Sequence, residues 1–252
     1  MWRRRTWLRA RRGGGSLPRL IYSETEAEGA DCFWTVTVLR EGAGTPRHCV
    51  LPDGCWTLSV GVRPAWYVRL RPPATAPFVA PCTPGEVVTG VRFRPGLPPR
   101  GVLERARRVL KPGQSAAEIS WRLGEIVRMC DEERDPRIDL LAREMRCSGG
   151  RSAVSSIAEK SGISERHLER LSLDQLGLAP KTFARIIRLQ AALRHMIAHP
   201  ERGLAEVASE SGYADQTHMG RDFRRLGRMT PAGYRRSIEH VGFVLETRSD
   251  AR

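Results

Sequence analysis

The stretch Ile157-Ala-Glu-Lys-Ser-Gly-Ile-Ser-Glu-Arg-His-Leu-Glu-Arg170 returns fifty residues later as Val207-Ala-Ser-Glu-Ser-Gly-Tyr-Ala-Asp-Gln-Thr-His218. Val154, Ile157, Ala158, Ser161, Gly162 and Ile163 answer to Leu204, Val207, Ala208, Ser211, Gly212 and Tyr213. One extra residue in the second copy then moves the offset to fifty-one. At that offset Leu168 matches Met219, Arg170 matches Arg221, and Leu178, Pro180 and Phe183 match Met229, Pro231 and Tyr234. Self-similarity at a fixed period marks one structural unit used twice.

Each copy reads as a helix-turn-helix. Ala158 and Ala208 are small residues on a first helix, where a second helix crosses closely. Gly162 and Gly212 stand where that helix ends and the chain needs a left-handed residue to turn. Ser164 and Asp215 are good N-caps for the second helix. The second helix offers Arg166, His167, Glu169 and Arg170 on its outer face in one copy, and Gln216, Thr217, His218 and Arg221 in the other. Leu168, Leu171, Met219 and Phe223 supply the buried side. A helix that leads with Arg, Gln and Thr suits major-groove reading, because Arg pairs with guanine and Gln with adenine.

Between the copies, Lys181 to Ala198 contains no Pro or Gly, and Phe183, Ile186, Ile187, Leu193 and Ile197 form a broad apolar face. Such a helix spans roughly 27 Å at about 1.5 Å per residue. Successive major grooves on one face of DNA lie about 34 Å apart. One stiff helix therefore sets two recognition helices near the spacing that a dimeric repressor reaches with two chains.

Residues from about Asp135 to Ile238 resemble the DNA-binding domain of AraC/XylS-family transcription regulators. Besides the two stretches quoted, the resemblance rests on Leu176-Gly-Leu-Ala-Pro180, Ile187-Arg-Leu-Gln-Ala191 and Thr230-Pro-Ala-Gly-Tyr-Arg235. It implies an all-α domain of about seven helices, over 135–240, that binds promoter or operator DNA by sequence. The family's base-facing positions fall on Arg166, Glu169 and Arg170, and on Gln216, Thr217, His218 and Arg221. One departure stands out: where the family and the repeat both place Phe, as at Phe223, this chain has Ser172. Loss of a buried aromatic costs several kcal/mol unless neighbours repack, so the first unit is expected to be the looser one, with room for a ring. Ser155 and Ser156 also replace the acidic residues common at the start of its first helix.

The first half has another character. From about Leu20 to Arg100, runs rich in aromatic and β-branched residues alternate: Phe33 to Leu39, Trp66-Tyr-Val-Arg-Leu70, and Glu86 to Arg94 with Val87, Thr89, Val91 and Phe93 opposite Val88, Arg92 and Arg94. Turn signals separate them at Gly42-Ala-Gly-Thr-Pro46, Pro52-Asp-Gly54, Arg71-Pro-Pro73 and Pro95-Gly96. Short strands between Gly/Pro turns point to an antiparallel barrel or sandwich. Val50-Leu-Pro-Asp-Gly-Cys55 and Gly90-Val-Arg-Phe-Arg-Pro-Gly96 resemble the small β-rich domain found ahead of the same DNA-binding domain, which binds an effector or dimerises. Trp34, Trp56, Trp66 and Tyr67 either line a pocket there or fill a small core.

The expected organisation is α+β and multidomain. A disordered basic tail covers 1–19, a β-rich sensor or dimerisation domain 20–112, a connecting helix 113–134, the DNA-binding domain 135–240 and a further tail 241–252. The net charge of +14 divides unevenly along that plan. Residues 1–19 hold seven Arg and no acid, while 135–240 hold 18 Lys/Arg against 13 Asp/Glu. The charge is compatible with nucleic acid without establishing it.

Other chemistries find little footing. A metal-dependent barrel enzyme needs several His converging with a carboxylate, yet His48 alone lies in the first half. No nucleophile elbow, phosphate loop or H-E-x-x-H pattern is present, so neither catalytic residues nor a cofactor nor a metal is expected. The six Cys form no C-x-x-C pair and read as small buried hydrophobes, with Cys49 and Cys55 the one close pair that would suit a redox switch. No apolar run approaches the length of a membrane span, and no apolar stretch follows the N-terminal arginines as a signal peptide requires. The expected setting is the cytoplasm, with promoter DNA, RNA polymerase, a small-molecule effector and a second copy of the chain as partners. The alternative is a sensor whose helical domain docks onto protein.

Overall fold

The computed structural model describes residues 4–9, 20–25, 30–39, 47–95, 101–130, 135–240 and 243–246. The strands are β1 (Arg4–Arg9), β2 (Leu20–Thr25), β3 (Ala30–Val38), β4 (Arg47–Val50), β5 (Thr57–Arg63), β6 (Tyr67–Arg71), β7 (Phe78–Pro81), β8 (Val87–Phe93) and β9 (Phe243–Glu246). Seven of them form one antiparallel sheet in the order β6-β5-β8-β3-β2-β1-β9, and β4 pairs with β7 as a separate ribbon. The barrel of the sequence reading does not close: the sheet stays open, with the ribbon over one face in a sandwich-like layer. The turn expected at 42–46 lies outside the described residues.

Alternation along the strands sorts side chains between the two faces. Leu58 and Val60 of β5 and Val91 and Phe93 of β8 point to one face, under α1 (Val102–Val109) and α2 (Ala116–Cys130). Ala106 of α1 and Ile119, Leu123, Ile126 and Val127 of α2 complete that core. The helix expected as a connector thus lies on the sheet, and Thr89 reaches Ser120 Oγ at 3.3 Å across the boundary. On the other face Tyr22, Trp34, Val36, Val38 and Cys82 cluster towards the ribbon. Gly90 is needed on β8 because a Cβ there would lie 2.6 Å from the Trp34 ring.

Two segments read as tails form strands. Arg4–Arg9, placed in a disordered tail by its charge, pairs along its whole length with β2. Its other edge takes β9, from the C-terminal tail. Strand pairing is made by the backbone N–H and C=O that each non-Pro residue carries, so a charged composition does not by itself keep the segment out of a sheet; residues 10–19 lie outside the described residues.

The helical half holds α3 (Pro136–Cys147), α4 (Val154–Lys160), α5 (Glu165–Leu176), α6 (Pro180–Ala198), α7 (Leu204–Glu210), α8 (Gln216–Gly227) and α9 (Pro231–His240), the seven expected. Asp135 caps α3, accepting from the Arg137 amide at 2.9 Å, with Pro136 in the first turn where its missing N–H is harmless. The core runs from Ile138 and Leu141 through Phe183, Ile186 and Leu189 to Val207, Met219 and Phe223. α6 is its spine, burying Phe183, Ala184, Ile186, Ile187, Leu189, Ala192, Leu193 and Met196.

The two halves touch. Leu51 packs on the helical core, and Gln190 Nε2 of α6 donates to the Pro52 carbonyl at 2.6 Å. Arg146 of α3 meets Asp31 at 2.8 Å.

Candidate nucleic-acid interface

The repeat superimposes element on element. α4 and α7 are seven residues each, fifty apart, and α5 and α8 are twelve residues each, fifty-one apart. Gly162 and Gly212 adopt φ of 67° and 81°, the left-handed turn their positions require. Ile163 and Tyr213 then donate backbone N–H to the Ala158 and Ala208 carbonyls, at 3.1 and 2.9 Å, closing each first helix alike.

Each second helix is capped by the expected side chain. Ser164 Oγ accepts from the His167 amide at 3.2 Å, and Asp215 Oδ1 from the His218 amide at 2.6 Å. A cap satisfies amides that a helix start leaves open, and a carboxylate such as that of Asp215 is also well placed at the positive end of the α8 dipole. Leu168, Met219 and Phe223 are fully buried and fix the rotation of each helix.

That rotation leaves the predicted reading residues outward. Arg166, Glu169 and Arg170 on α5, and Gln216, Thr217 and Arg221 on α8, are all exposed. Among the described residues Arg166, Arg170 and Arg221 form no ion pair, so their charge is not spent within the chain. His218 differs from the others. It is half-buried, its ring stands edge-on to Tyr213 at 5.2 Å, and Nδ1 accepts from the Ala214 amide at 3.5 Å.

The structure adds cations that the repeat did not point to. Arg224, Arg225 and Arg228 continue the exposed side of α8 beyond Arg221. The signal was present as their spacing of three, four and seven residues from Arg221, which returns to the same helix face. Arg228 adopts the left-handed conformation (φ 53°) that Gly177 takes at the matching end of α5 (φ 74°).

Anchoring to α6 is where the copies part. On α8, the buried Asp222 takes Arg185 Nε at 2.8 Å and Nη2 at 2.5 Å through one oxygen, Oδ1. Asp222 is 3% exposed, so a fixed charge pair ties α8 to α6. Beside it Arg188 lies over the Tyr213 ring at 5.8 Å and donates to the Gly150 carbonyl at 2.7 Å. Burial and the nearby Asp222 push the Tyr213 hydroxyl well above the usual phenol range. On α5 the position matching Asp222 is Leu171, and the next residue is Ser172, fully buried, whose hydroxyl donates to the Leu178 carbonyl at 2.6 Å. The void expected at Ser172 is thus a hydrogen bond to the turn that follows α5.

Of the four aromatics considered for a pocket, Trp34 and Tyr67 line a cavity between the sheet and the β4–β7 ribbon. Trp56 and Trp66 instead pack against the helix-covered core. Among the described residues no group of three His, Cys, Asp or Glu is placed to hold a metal ion, and no helix is long and apolar enough to cross a membrane.

Two outward, capped second helices, each packed against the buried helix α6, form a tandem helix-turn-helix module. The helix-turn-helix domain family matches residues 157–237. The HTH-type transcriptional activator RhaS of Escherichia coli (strain SE11) is 32% identical over 89 residues, 35% of this chain and 31% of that protein. The chain therefore matches about a third of the length of that curated relative. Among solved structures, the DNA-binding domain of AdpA, a global transcriptional factor in complex with a target DNA, aligns at 24% identity and TM-score 0.38 over 42% of this chain and 94% of that one. ToxT from Vibrio cholerae O395 aligns at 9% identity and TM-score 0.45 over 81% of this chain and 96% of that one.

Proposed function

We propose that the chain is a sequence-specific transcription regulator that lays α5 and α8 into successive major grooves of promoter DNA. The observation that carries the reading is the pair of N-capped second helices whose exposed faces present unpaired arginines beside Gln216 and Thr217. α6, 19 residues long, spans about 28 Å at about 1.5 Å per residue, close to the groove repeat. Arg166 and Gln216 sit in the first turns and act as base readers; Arg170 and Arg221, one turn on, reach a base or a phosphate. Glu169 and Thr217 contribute to the same two faces. His218 serves through the position of the α8 start, because its ring is held against Tyr213.

In this reading the protein works in the cytoplasm, contacts RNA polymerase from the bound promoter, pairs with a second copy, and answers to a small-molecule effector taken up by the N-terminal half. The domain limits are those of the sequence plan, except that α2 and the strands Arg4–Arg9 and Phe243–Glu246 go with the sheet.

Selection of bound sequences from a random DNA pool tests it. The expected result is an enriched site with two blocks about one helical turn apart. Binding should also weaken steeply with salt, as counterions displaced from phosphate compete. A pool without enrichment at any salt concentration would overturn the reading in favour of a sensor that docks onto protein.

A further inference from the structure

The cavity between the sheet and the ribbon has a volume of about 530 Å3, within the range of small-molecule sites. Trp34, Val36, Tyr67, Phe78 and Val88 give it largely apolar walls. Four charged side chains line it, Asp53, Arg71, Glu86 and Arg92, and Arg71 alone among them lacks a polar partner among the described residues. Arg92 is met by Glu24 at 3.2 Å, Asp53 at 2.8 Å and Asp31 at 3.7 Å. Glu86 accepts from the Thr83 amide at 2.7 Å. Arg71 has no ion pair among the described residues; its guanidinium lies over the Phe78 ring at 4.1 Å. Burial and the neighbouring Arg69 both work against its charge. An anion there would offset that cost and gain charge-assisted hydrogen bonds.

One wall of the cavity is the segment from Leu51 to Cys55, and its other side rests on α6. Asp53 points inward to Arg92, while the adjacent Pro52 carbonyl points outward to Gln190. Gly54, at φ 77°, comes so near that a Cβ there would lie 2.9 Å from the Phe183 ring. Asp31 makes a second link, holding Arg92 on one side and Arg146 of α3 on the other. Pro52 and Asp53 share one planar peptide, so a displacement of the Asp53 backbone also moves the Pro52 carbonyl.

We propose that this cavity takes an apolar molecule bearing one anionic group, received by Arg71, and that the Leu51–Cys55 segment passes its occupancy to α6. The second half rests on the regulator reading, because α6 sets how the two recognition helices stand to each other. A ligand that fixes the inner side of the segment tightens or releases its outer contacts with Phe183 and Gln190.

The test uses the full chain and two fluorescent probes of similar shape: anilinonaphthalene sulfonate, an apolar anion, and N-phenylnaphthylamine, its uncharged counterpart. The sulfonate is expected to bind about tenfold more tightly, the yield of roughly one charge-assisted contact. Arg71→Met should erase that preference while leaving the neutral probe bound. Ala80→Trp, or Val88→Trp on another wall, fills the cavity and should abolish binding of both. Equal preference before and after Arg71→Met overturns the anion site, and undiminished binding in a folded cavity-filling variant overturns the cavity as the location. Hydrogen exchange then reads the relay: the sulfonate should change protection at Leu51–Cys55 and at Phe183–Gln190, and in Gln190→Ala the second change should shrink. A change confined to the cavity wall overturns the relay. None of these readouts uses DNA, so their failure is separable from failure of the pool selection.

Discussion

The two helix-turn-helix units share backbone and caps but differ in how their second helices are held. α8 is tied to α6 by a charge pair with one partner 3% exposed, and by the buried Phe223. α5 has Leu171 and Ser172 at the matching places, and its hold is a hydroxyl bonded to the Leu178 carbonyl in the turn beyond it. One unit is thus locked sideways onto the spine, and the other is stitched to its own C-terminal turn. The same backbone template therefore tolerates two anchoring chemistries, provided that the buried polar atoms find partners.

The largest effect is expected at the locked unit. Asp222→Ala leaves Arg185 facing the core without its carboxylate and should cost about 3 kcal/mol of stability, read by urea unfolding. Arg185→Met in the same chain should recover part of that loss, because the stranded charge is gone. Additive losses in the double variant would show that the pair does not couple α8 to α6.

Next come the proposed reading heads. Arg166→Ala and Gln216→Ala should each lower affinity for the selected site by up to about 3 kcal/mol and relax preference at one base position. The two relaxed positions should lie about one helical turn apart. Footprints that lose the same half-turn in both variants would collapse the two units into one.

Ser172→Phe tests the stitched unit. Ser172 is fully buried and hydrogen-bonded, so a ring has no space and strands the Leu178 carbonyl. A loss of about 2 kcal/mol is expected from overpacking. A rise in melting temperature would restore the void that the family pattern suggests.

The smallest effect concerns the helix ends. Arg228 bears the left-handed strain that Gly177 avoids at the matching position. Arg228→Gly should therefore gain about 1 kcal/mol of stability. If Arg228 also contacts a phosphate, the same variant binds DNA more weakly and with a salt slope reduced by about one unit. Stability and affinity moving together would assign Arg228 to the fold alone.

The helical half was legible in the sequence because its signals are local. Capping by Ser164 and Asp215, the turns at Gly162 and Gly212 and the apolar face of α6 each act within a few residues of the chain. The repeat doubled the caps and the turns, and the exposed positions of Arg166, Glu169, Arg170, Gln216, Thr217 and Arg221 follow from helix periodicity once Leu168 and Met219 are buried. The alternation on β8 was equally readable, with Val91 and Phe93 inward under the helices and Arg92 on the opposite face.

What local pattern does not carry is the choice of distant partner. Nothing in the spacing joins Arg185 to Asp222, Pro52 to Gln190, or Asp31 to both Arg92 and Arg146. Those contacts depend on how whole elements pack, as does the strand pairing of Arg4–Arg9, which its composition argued against. Trp34 and Trp56 illustrate the limit: both are plausible cavity residues by type, and the sheet face onto which each projects sends one to the cavity and the other to the core. The sequence by itself determined two capped second helices on a common spine, because helix periodicity and capping are short-range. Only the tertiary structure decided what holds each of them, because a buried charge or hydroxyl is satisfied by whichever group the packing brings within reach.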